Sequence, residues 1–359
     1  MSQSTHIGII GIPDFLDKRK RSIVVDVRAP GEFEQGNILG AINIPLFDDL
    51  QRSQVGTVYK KAGREQAIKL GFDLVGPKMR KIVESFEDVC QDSTTLDVSH
   101  KVNDVLLYCA RGGMRSESVG WLLKQADIQV KRLEGGYKSY RRYCHSFFEK
   151  PWNLIALTGM TGAGKTDLLQ HLSAVGEQVI DLEGLAHHRG SAFGGIGQDP
   201  QPSTESFENL IFESLRSFNS QRRSWVEDES RSVGKCMVPS PFFEQLHSAP
   251  AVYLNVDVHE RIELLVSQYG MLPKGEMISA IERISKRLGG QSVKSAIAAL
   301  HENDFRKCAE ILLGYYDRGY SICQQKNPRQ NVVSVDASGC DRETQLARVL
   351  KAADSLDRS

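Results

Sequence analysis

The chain has 359 residues, 40% hydrophobic and 25% charged, too many for one ordinary core and suited to two soluble domains of about 150 residues each. Its 45 Lys plus Arg balance 45 Asp plus Glu, which excludes a bulk polycation and leaves nucleic-acid binding to depend on where basic residues cluster. No run of about 18 apolar residues and no basic-then-apolar opening occurs, so neither a membrane span nor a secretory signal is expected, and the expected location is cytoplasmic.

A β-branched run predicts a first strand over 22–27. Helical spacing follows over 66–70 and 77–88, with Pro77 suiting a first helical position, where its missing N–H costs nothing. Strands are predicted at 105–109 and 130–133, with a helix over 116–126 between them. This alternation predicts an α/β domain, a parallel sheet with helices on its faces. The aromatic and basic stretch 137–152 is read as the junction, giving domains 1–145 and 146–359. Beyond it the pattern predicts a second α/β domain. A strand at 153–158 is followed by a Gly-rich turn and a helix at 166–173, with further strands at 178–182, 224–227 and 251–256. The pattern is then helical from 261 to about 319, firmest over 278–288 and 292–311, with a last strand at 331–335.

The strand ending at Tyr108 runs straight into Cys109-Ala110-Arg111-Gly112-Gly113-Met114-Arg115-Ser116 and then a helix. A loop curling between a strand end and a helix N-terminus turns backbone N–H groups inward, and with the helix dipole these stabilise an anion. Gly112 and Gly113 permit the turn, Arg111 and Arg115 add positive charge, and Ser116 closes the loop. Cys109 at the edge of such a cradle is expected to be a thiolate nucleophile. A lone strand-end cysteine is more often structural, but two glycines and two arginines within six residues favour chemistry. The seven cysteines are dispersed without a CxxC, which argues against a disulfide framework or zinc ribbon and for reduced thiols; no metal site is assigned.

Gly159-Met160-Thr161-Gly162-Ala163-Gly164-Lys165-Thr166 matches the phosphate-binding G-x-x-x-x-G-K-[ST] in full, between a predicted strand and a predicted helix. Its N–H groups would cradle a diphosphate, Lys165 would neutralise phosphate oxygens, and Thr166 would reach an Mg²⁺ ion. A second acidic element is expected at a neighbouring strand end. The candidates are Asp181 and Glu183, or Glu227, Asp228 and Glu229, with Asp181, Glu183 and Asp228 preferred. His187 and His188 lack partners at metal-ligand spacing, so His188 and Arg189 are read as phosphate or RNA contacts. Arg141 and Arg142, interleaved with Tyr137, Tyr140 and Tyr143, are candidate tRNA contacts, as are Arg283, Lys286 and Arg287, although a solvated charged face is the commoner reason for such clusters.

Val25-Asp26-Val27-Arg28-Ala29-Pro30-Gly31-Glu32-Phe33, followed by Gly36-Asn37-Ile38 and Gly40-Ala41-Ile42-Asn43-Ile44-Pro45, resembles the N-terminal signature of rhodanese-like domains, which usually carry His where Asn37 stands. That resemblance implies a structural Asp26–Arg28 ion pair supporting the cysteine loop. The Cys-x5-Arg spacing resembles rhodanese-fold phosphatases and suits a tetrahedral phosphorus group. It leaves open whether Cys109 attacks phosphorus or a chalcogen carried on phosphorus. With CARGGMRS, GMTGAGKT, DLEGLAHHRGSAFG and WVEDES in this order, residues 8–340 resemble the tRNA 2-selenouridine synthase family. The resemblance implies replacement of the 2-sulfur of wobble 2-thiouridine in tRNA by selenium from selenophosphate, through an S-geranyl intermediate made from geranyl diphosphate. It further implies attack of Cys109 on selenium with loss of phosphate, no tightly bound cofactor, and a selenophosphate-producing enzyme as supplier. A Cys-x5-Arg phosphatase, or a P-loop kinase or NTPase with a regulatory rhodanese domain, stays open as the alternative. Cys144, in the junction, is read as structural rather than as a chalcogen relay.

Overall fold

The computed structural model describes residues 7–91, 104–326 and 329–356, without the side chains of 323–326, so the thiol of Cys323 lies outside the described residues. The chain divides into two units, Met1–Phe147 and Phe148–Ser359. Among the described residues no helix is long and apolar enough to cross a membrane.

The first unit runs β1 (Gly8–Ile10), α1 (Ile12–Lys18), β2 (Ile23–Asp26), α2 (Pro30–Gln35), β3 (Ile42–Asn43), α3 (Asp49–Val75), α4 (Met79–Gln91), β4 (Asp104–Tyr108), α5 (Met114–Gln125), β5 (Gln129–Leu133) and α6 (Gly136–Phe148). Its five strands are parallel in the order β1-β5-β4-β2-β3. β2 and most of β4 are buried runs rather than alternating ones, because helices cover both faces of a parallel sheet. One face packs Val25, Val105 and Leu107 against Phe86 of α4 and Val119 and Leu123 of α5.

Three expectations need correction here. α3 is far longer than the predicted 66–70, starting at an Asp48 N-cap that accepts from Gln51 N and breaking at Gly63, where φ is +84°. Its periodicity is weak because Ala67 is its one buried residue. Pro77 sits in a 3-10 turn, Gly76–Lys78, ahead of α4 rather than opening it. The stretch read as a junction does contain the boundary between the units, but most of it is the helix α6, whose Tyr137 and Tyr140 are buried.

The second unit runs β6 (Leu154–Gly159), α7 (Lys165–Ala174), β7 (Gln178–Ile180), α8 (Leu182–Leu185), α9 (Thr204–Ser217), β8 (Ser224–Glu227), β9 (Ser232–Val233), β10 (Cys236–Met237), α10 (Ser240–Ser248), β11 (Ala251–Asn255), α11 (Val258–Tyr269), α12 (Lys274–Arg283), α13 (Ser285–Leu288), α14 (Gly290–His301), α15 (Phe305–Lys326), β12 (Val332–Asp336) and α16 (Arg342–Leu356). The parallel sheet has the order β12-β11-β6-β8-β7, with a separate β9–β10 hairpin. Its core joins Ile155, Leu157, Trp225 and Val252 to Leu168 and Leu172 of α7 and Val349 of α16. α12, α14 and α15 build a second cluster around Met277, Ile281, Ala296, Leu300 and Cys308. The predicted helix 292–311 breaks between α14 and α15, where Asn303 takes φ +64°.

Candidate active sites

β4 ends at Tyr108 and delivers Cys109 to the floor of a loop that leads into α5. The thiol is 3% exposed, and its Sγ lies 3.2 Å from Ser116 Oγ. The loop is tied down from outside: Tyr137 N donates to Cys109 O at 2.8 Å and Lys138 N to Ala110 O at 2.9 Å. Two glycines are needed for this approach. Gly136 has φ +59°, and a Cβ there would lie 2.2 Å from Cys109 O; Gly112 has φ +64°, and its Cβ would lie 2.9 Å from Leu133 O. Among the described residues, no hydrogen bond is donated by the N–H groups of residues 110–116, which leaves a ring of donors at the α5 N-terminus.

Beneath the loop Asp26 and Arg28 form the expected ion pair, 2.7 Å apart and almost wholly buried. Arg28 also donates to Gly36 O at 2.6 Å, and its guanidinium lies 3.8 Å from the Tyr137 ring centre. The buried pair thus fixes α6 against the sheet end that carries Cys109, a structural role.

The loop floors a cavity of about 640 Å³ whose charged wall is Arg52, Lys60, Arg111, Arg115 and Glu32. Arg111 and Arg115 were expected to aim at an anion, but Arg115 is held by Glu32 at 2.6 Å. Burial works against the charge of Glu32, yet its hydrogen bond and charge pairing with Arg115 hold its carboxyl below the usual range. Arg52 and Lys60 come from α3 and carry no local motif, so sequence reasoning missed them.

In the second unit β6 runs into the phosphate loop. Gly159, Gly162 and Gly164 take φ of +152°, +80° and +76°, and a Cβ on Gly162 would meet Arg261 O at 2.9 Å. Buried Arg261 braces the loop, donating to Thr161 O at 2.9 Å while pairing with Asp317. Lys165 Nζ donates to Gly159 O at 3.1 Å. Thr166 Oγ1, opening α7, donates to Glu227 Oε1 at 3.1 Å and lies 3.4 Å from Glu183 Oε2.

Thr166 therefore meets Glu227 and Glu183, while Asp181 and Asp228 line the same cavity with their carboxylates engaged by other groups. Asp181 is the N-cap of α8, accepting from Gly184 N at 2.7 Å. Asp228 pairs with Arg329. Burial, and then the nearby Glu229, push the Glu183 carboxyl up to about 8; burial and Glu183 raise Glu227 well above the carboxylate range.

Arg189 lines the phosphate-loop cavity of about 570 Å³, its guanidinium 5.6 Å from the Tyr269 ring centre. His188 packs against Gly194, and burial lowers its pKa. Arg141, 3.2 Å from His145, and exposed Arg142 stay on the outer side of α6. Tyr137 and Tyr140 stack inside, where no base can reach them, and the Cys144 thiol is likewise buried. One feature that sequence reasoning missed is a narrow apolar pocket of about 50 Å³ beside the phosphate loop, walled by Leu265, Met277, Phe305 and Leu312. It shares Thr161, Ser191, Leu265, Tyr269 and Tyr316 with the larger cavity.

Residues 152–347 match the family model for the tRNA 2-selenouridine synthase AAA domain, and residues 13–143 match the rhodanese-like domain. A tRNA 2-selenouridine synthase of Aeromonas salmonicida is 35% identical over 346 residues, covering 86% of this chain and 89% of that protein. One of Hydrogenovibrio crunogenus is 36% identical, covering 84% of this chain and 89% of its own. Among solved structures, a rhodanese-related protein of Thermoplasma volcanium is 20% identical over 38% of this chain and 93% of its own, with a TM-score of 0.22. Matched in both units and related at this identity across most of its length, the chain belongs to the tRNA 2-selenouridine synthase family.

Proposed function

We propose that this chain exchanges the 2-sulfur of wobble 2-thiouridine in tRNA for selenium, alkylating that sulfur from geranyl diphosphate and then displacing it with selenium from selenophosphate. The observation that carries the reading is the presence, in one chain of this family, of two intact anion cradles. One is the ring of unengaged N–H groups around Cys109; the other is the phosphate loop with Thr166 against Glu227.

In the first step the thiouridine sulfur attacks C1 of the geranyl chain. The S–C bond forms, the C–O bond breaks, the N3 proton of the base passes to water, and diphosphate leaves with the electron pair into the field of the loop N–H groups and Lys165. The apolar pocket beside the loop has no charged side chain in its lining and, at about 50 Å³, has room for only a few carbons of the hydrocarbon tail. An Mg²⁺ ion fits the oxygen donors of Thr166, Glu183 and Glu227 and would neutralise diphosphate charge.

In the second step the electron count redirects the attack that the sequence suggested. A thiolate attacking selenium would release phosphorus as phosphite; attack on phosphorus balances. Cys109 forms an S–P bond, the P–Se bond breaks, and selenium leaves with the bonding pair as hydroselenide. Hydroselenide adds at C2 of the alkylated base, and geranylthiol departs, the better leaving group for having lost its thione character. Water then returns the S-phosphocysteine to thiol and inorganic phosphate. The wide Cys-x5-Arg bowl suits a tetrahedral phosphorus centre, and Arg111, Arg52 and Lys60 supply charge for it. A selenophosphate-producing enzyme must supply the donor.

The test incubates the protein with selenophosphate, geranyl diphosphate, Mg²⁺ and tRNA bearing 2-thiouridine, with nucleosides read by mass spectrometry. Cys109→Ser is expected to abolish 2-selenouridine while geranylated nucleoside accumulates; Lys165→Ala is expected to abolish the geranylated nucleoside. Hydrolysis of a generic phosphate ester or a nucleoside triphosphate with neither nucleoside formed would sink the reading.

A further inference from the structure

Beside the Cys109 bowl lies a second cavity of about 520 Å³, a groove between α3 and α5 that the mechanism has not used. That size falls within the roughly 300–1,000 Å³ of small-molecule sites. Its walls are mainly hydrocarbon and aromatic, with Ala67, Ile68 and Phe72 from α3 facing Val119, Trp121 and Leu122 from α5. Phe72 is 68% exposed and Trp121 55%, large side chains left in solvent on an otherwise mixed surface. The groove opens onto the bowl: Phe47, Val55, Tyr59, Met114 and Arg115 wall both.

The bowl gathers charge around Cys109, through Arg52, Lys60, Arg111, Arg115 and Glu32, beside the apolar side chains that it shares with the groove. The groove carries that apolar wall away from Cys109 along α3 and α5. Adjoining walls of such different chemistry suit a substrate that carries a compact polar reacting centre joined covalently to an apolar substituent. We propose that the α3–α5 groove is the subsite that holds the prenyl group of S-prenylated 2-thiouridine while selenium is delivered beside Cys109. This rests on the function proposed above. It adds that the selenation site selects the alkylated base by its apolar tail, so that unmodified 2-thiouridine, with nothing to place in the groove, is passed over.

Ser118 lines the groove from the exposed side of α5 and takes no part in the bowl, so Ser118→Trp fills the groove without disturbing the core. The experiment presents selenophosphate and an anticodon stem-loop RNA bearing S-geranyl-2-thiouridine, S-methyl-2-thiouridine or unalkylated 2-thiouridine to the full chain, and measures kcat and KM for 2-selenouridine formation. The wild type is expected to favour the geranyl substrate by roughly tenfold or more in kcat/KM, the scale on which apolar pockets discriminate. Ser118→Trp is expected to raise KM for the geranyl substrate by a similar factor and leave the methyl substrate unchanged. Equal use of both S-alkyl substrates by the wild type, or equal impairment of both by Ser118→Trp, overturns the groove assignment while the two-step reading survives. A wild-type dimer that Ser118→Trp dissociates, read by light scattering, overturns it in favour of a second copy covering the groove. If the wild type instead selenates unalkylated 2-thiouridine and neither S-alkyl substrate, the two-step reading itself fails.

Discussion

Thr166 needs a carboxylate partner, and the sequence offers several acidic residues at two strand ends. Glu227 ends β8, and Asp228 and Glu229 follow it into the wall of the phosphate-loop cavity, so sequence position alone does not say which carboxylate meets Thr166. Which one does so is set by the register of β8 against β6, where Glu227 stands opposite Leu157, and a sequence pattern does not carry that pairing. Asp228 reaches the cavity wall as expected, but its carboxylate pairs with Arg329 while that of Glu227 takes the Thr166 hydroxyl. Cys109, Lys165 and the loop glycines were legible because their chemistry is encoded within a few adjacent residues. The two carboxylates separate by experiment. Glu227→Gln is expected to lower geranylation by about ten- to a thousandfold, the range for losing one preorganised electrostatic group. Asp228→Asn is expected to leave the turnover of folded protein nearly intact and cost about 1–3 kcal/mol of stability, since it strips a charged partner from a mostly buried arginine. Steady-state rates beside urea unfolding of both variants check the assignment; equal rate losses would reverse it.

Elements were legible in proportion to how much of their surface is buried. β2, β4, β6 and β11 read clearly because parallel strands covered on both faces leave unbroken apolar runs. α3, almost wholly solvent-facing, carries no stripe to read, and with it went Arg52, Lys60 and the groove wall. α6 misled in the opposite way: its aromatics and arginines sit together in sequence, but a helix sends Tyr137 and Tyr140 inward and leaves Arg142 outside. The turn before α6 matters more to the site than its basic face does. Gly136 lets the β5–α6 connection press against the carbonyl of Cys109, and a methyl group at 2.2 Å cannot be accommodated without moving the loop. Gly136→Ala is therefore expected to abolish 2-selenouridine formation by distorting the N–H ring, while geranylation in the other unit continues. The two nucleoside products, measured in one reaction, test this; retained selenation would show that the ring tolerates displacement.

At the scale of the whole molecule, each unit has its own core, so each is expected to show its own unfolding transition. Inorganic diphosphate should mark the second unit's transition by raising it, because a ligand that binds only the folded state adds stability by mass action. That transition also carries a pH signature. Glu183 is pushed up to about 8 by burial and by Glu229, from an ordinary value of 4.5. Between those values the folded unit keeps a proton that the unfolded chain releases, so this contribution to stability is full below about 4.5 and is lost as pH rises through about 8. With Glu227 raised in the same direction, the diphosphate-sensitive transition of the free protein is expected to fall in temperature as pH rises from about 4.5 to about 8, by an amount worth on the order of a few kcal/mol. Glu183→Gln, which carries no charge to bury, is expected to flatten the profile. Calorimetry across that range decides it: a wild-type transition independent of pH would mean that the phosphate-loop carboxyls are already ionised, with no proton held among them.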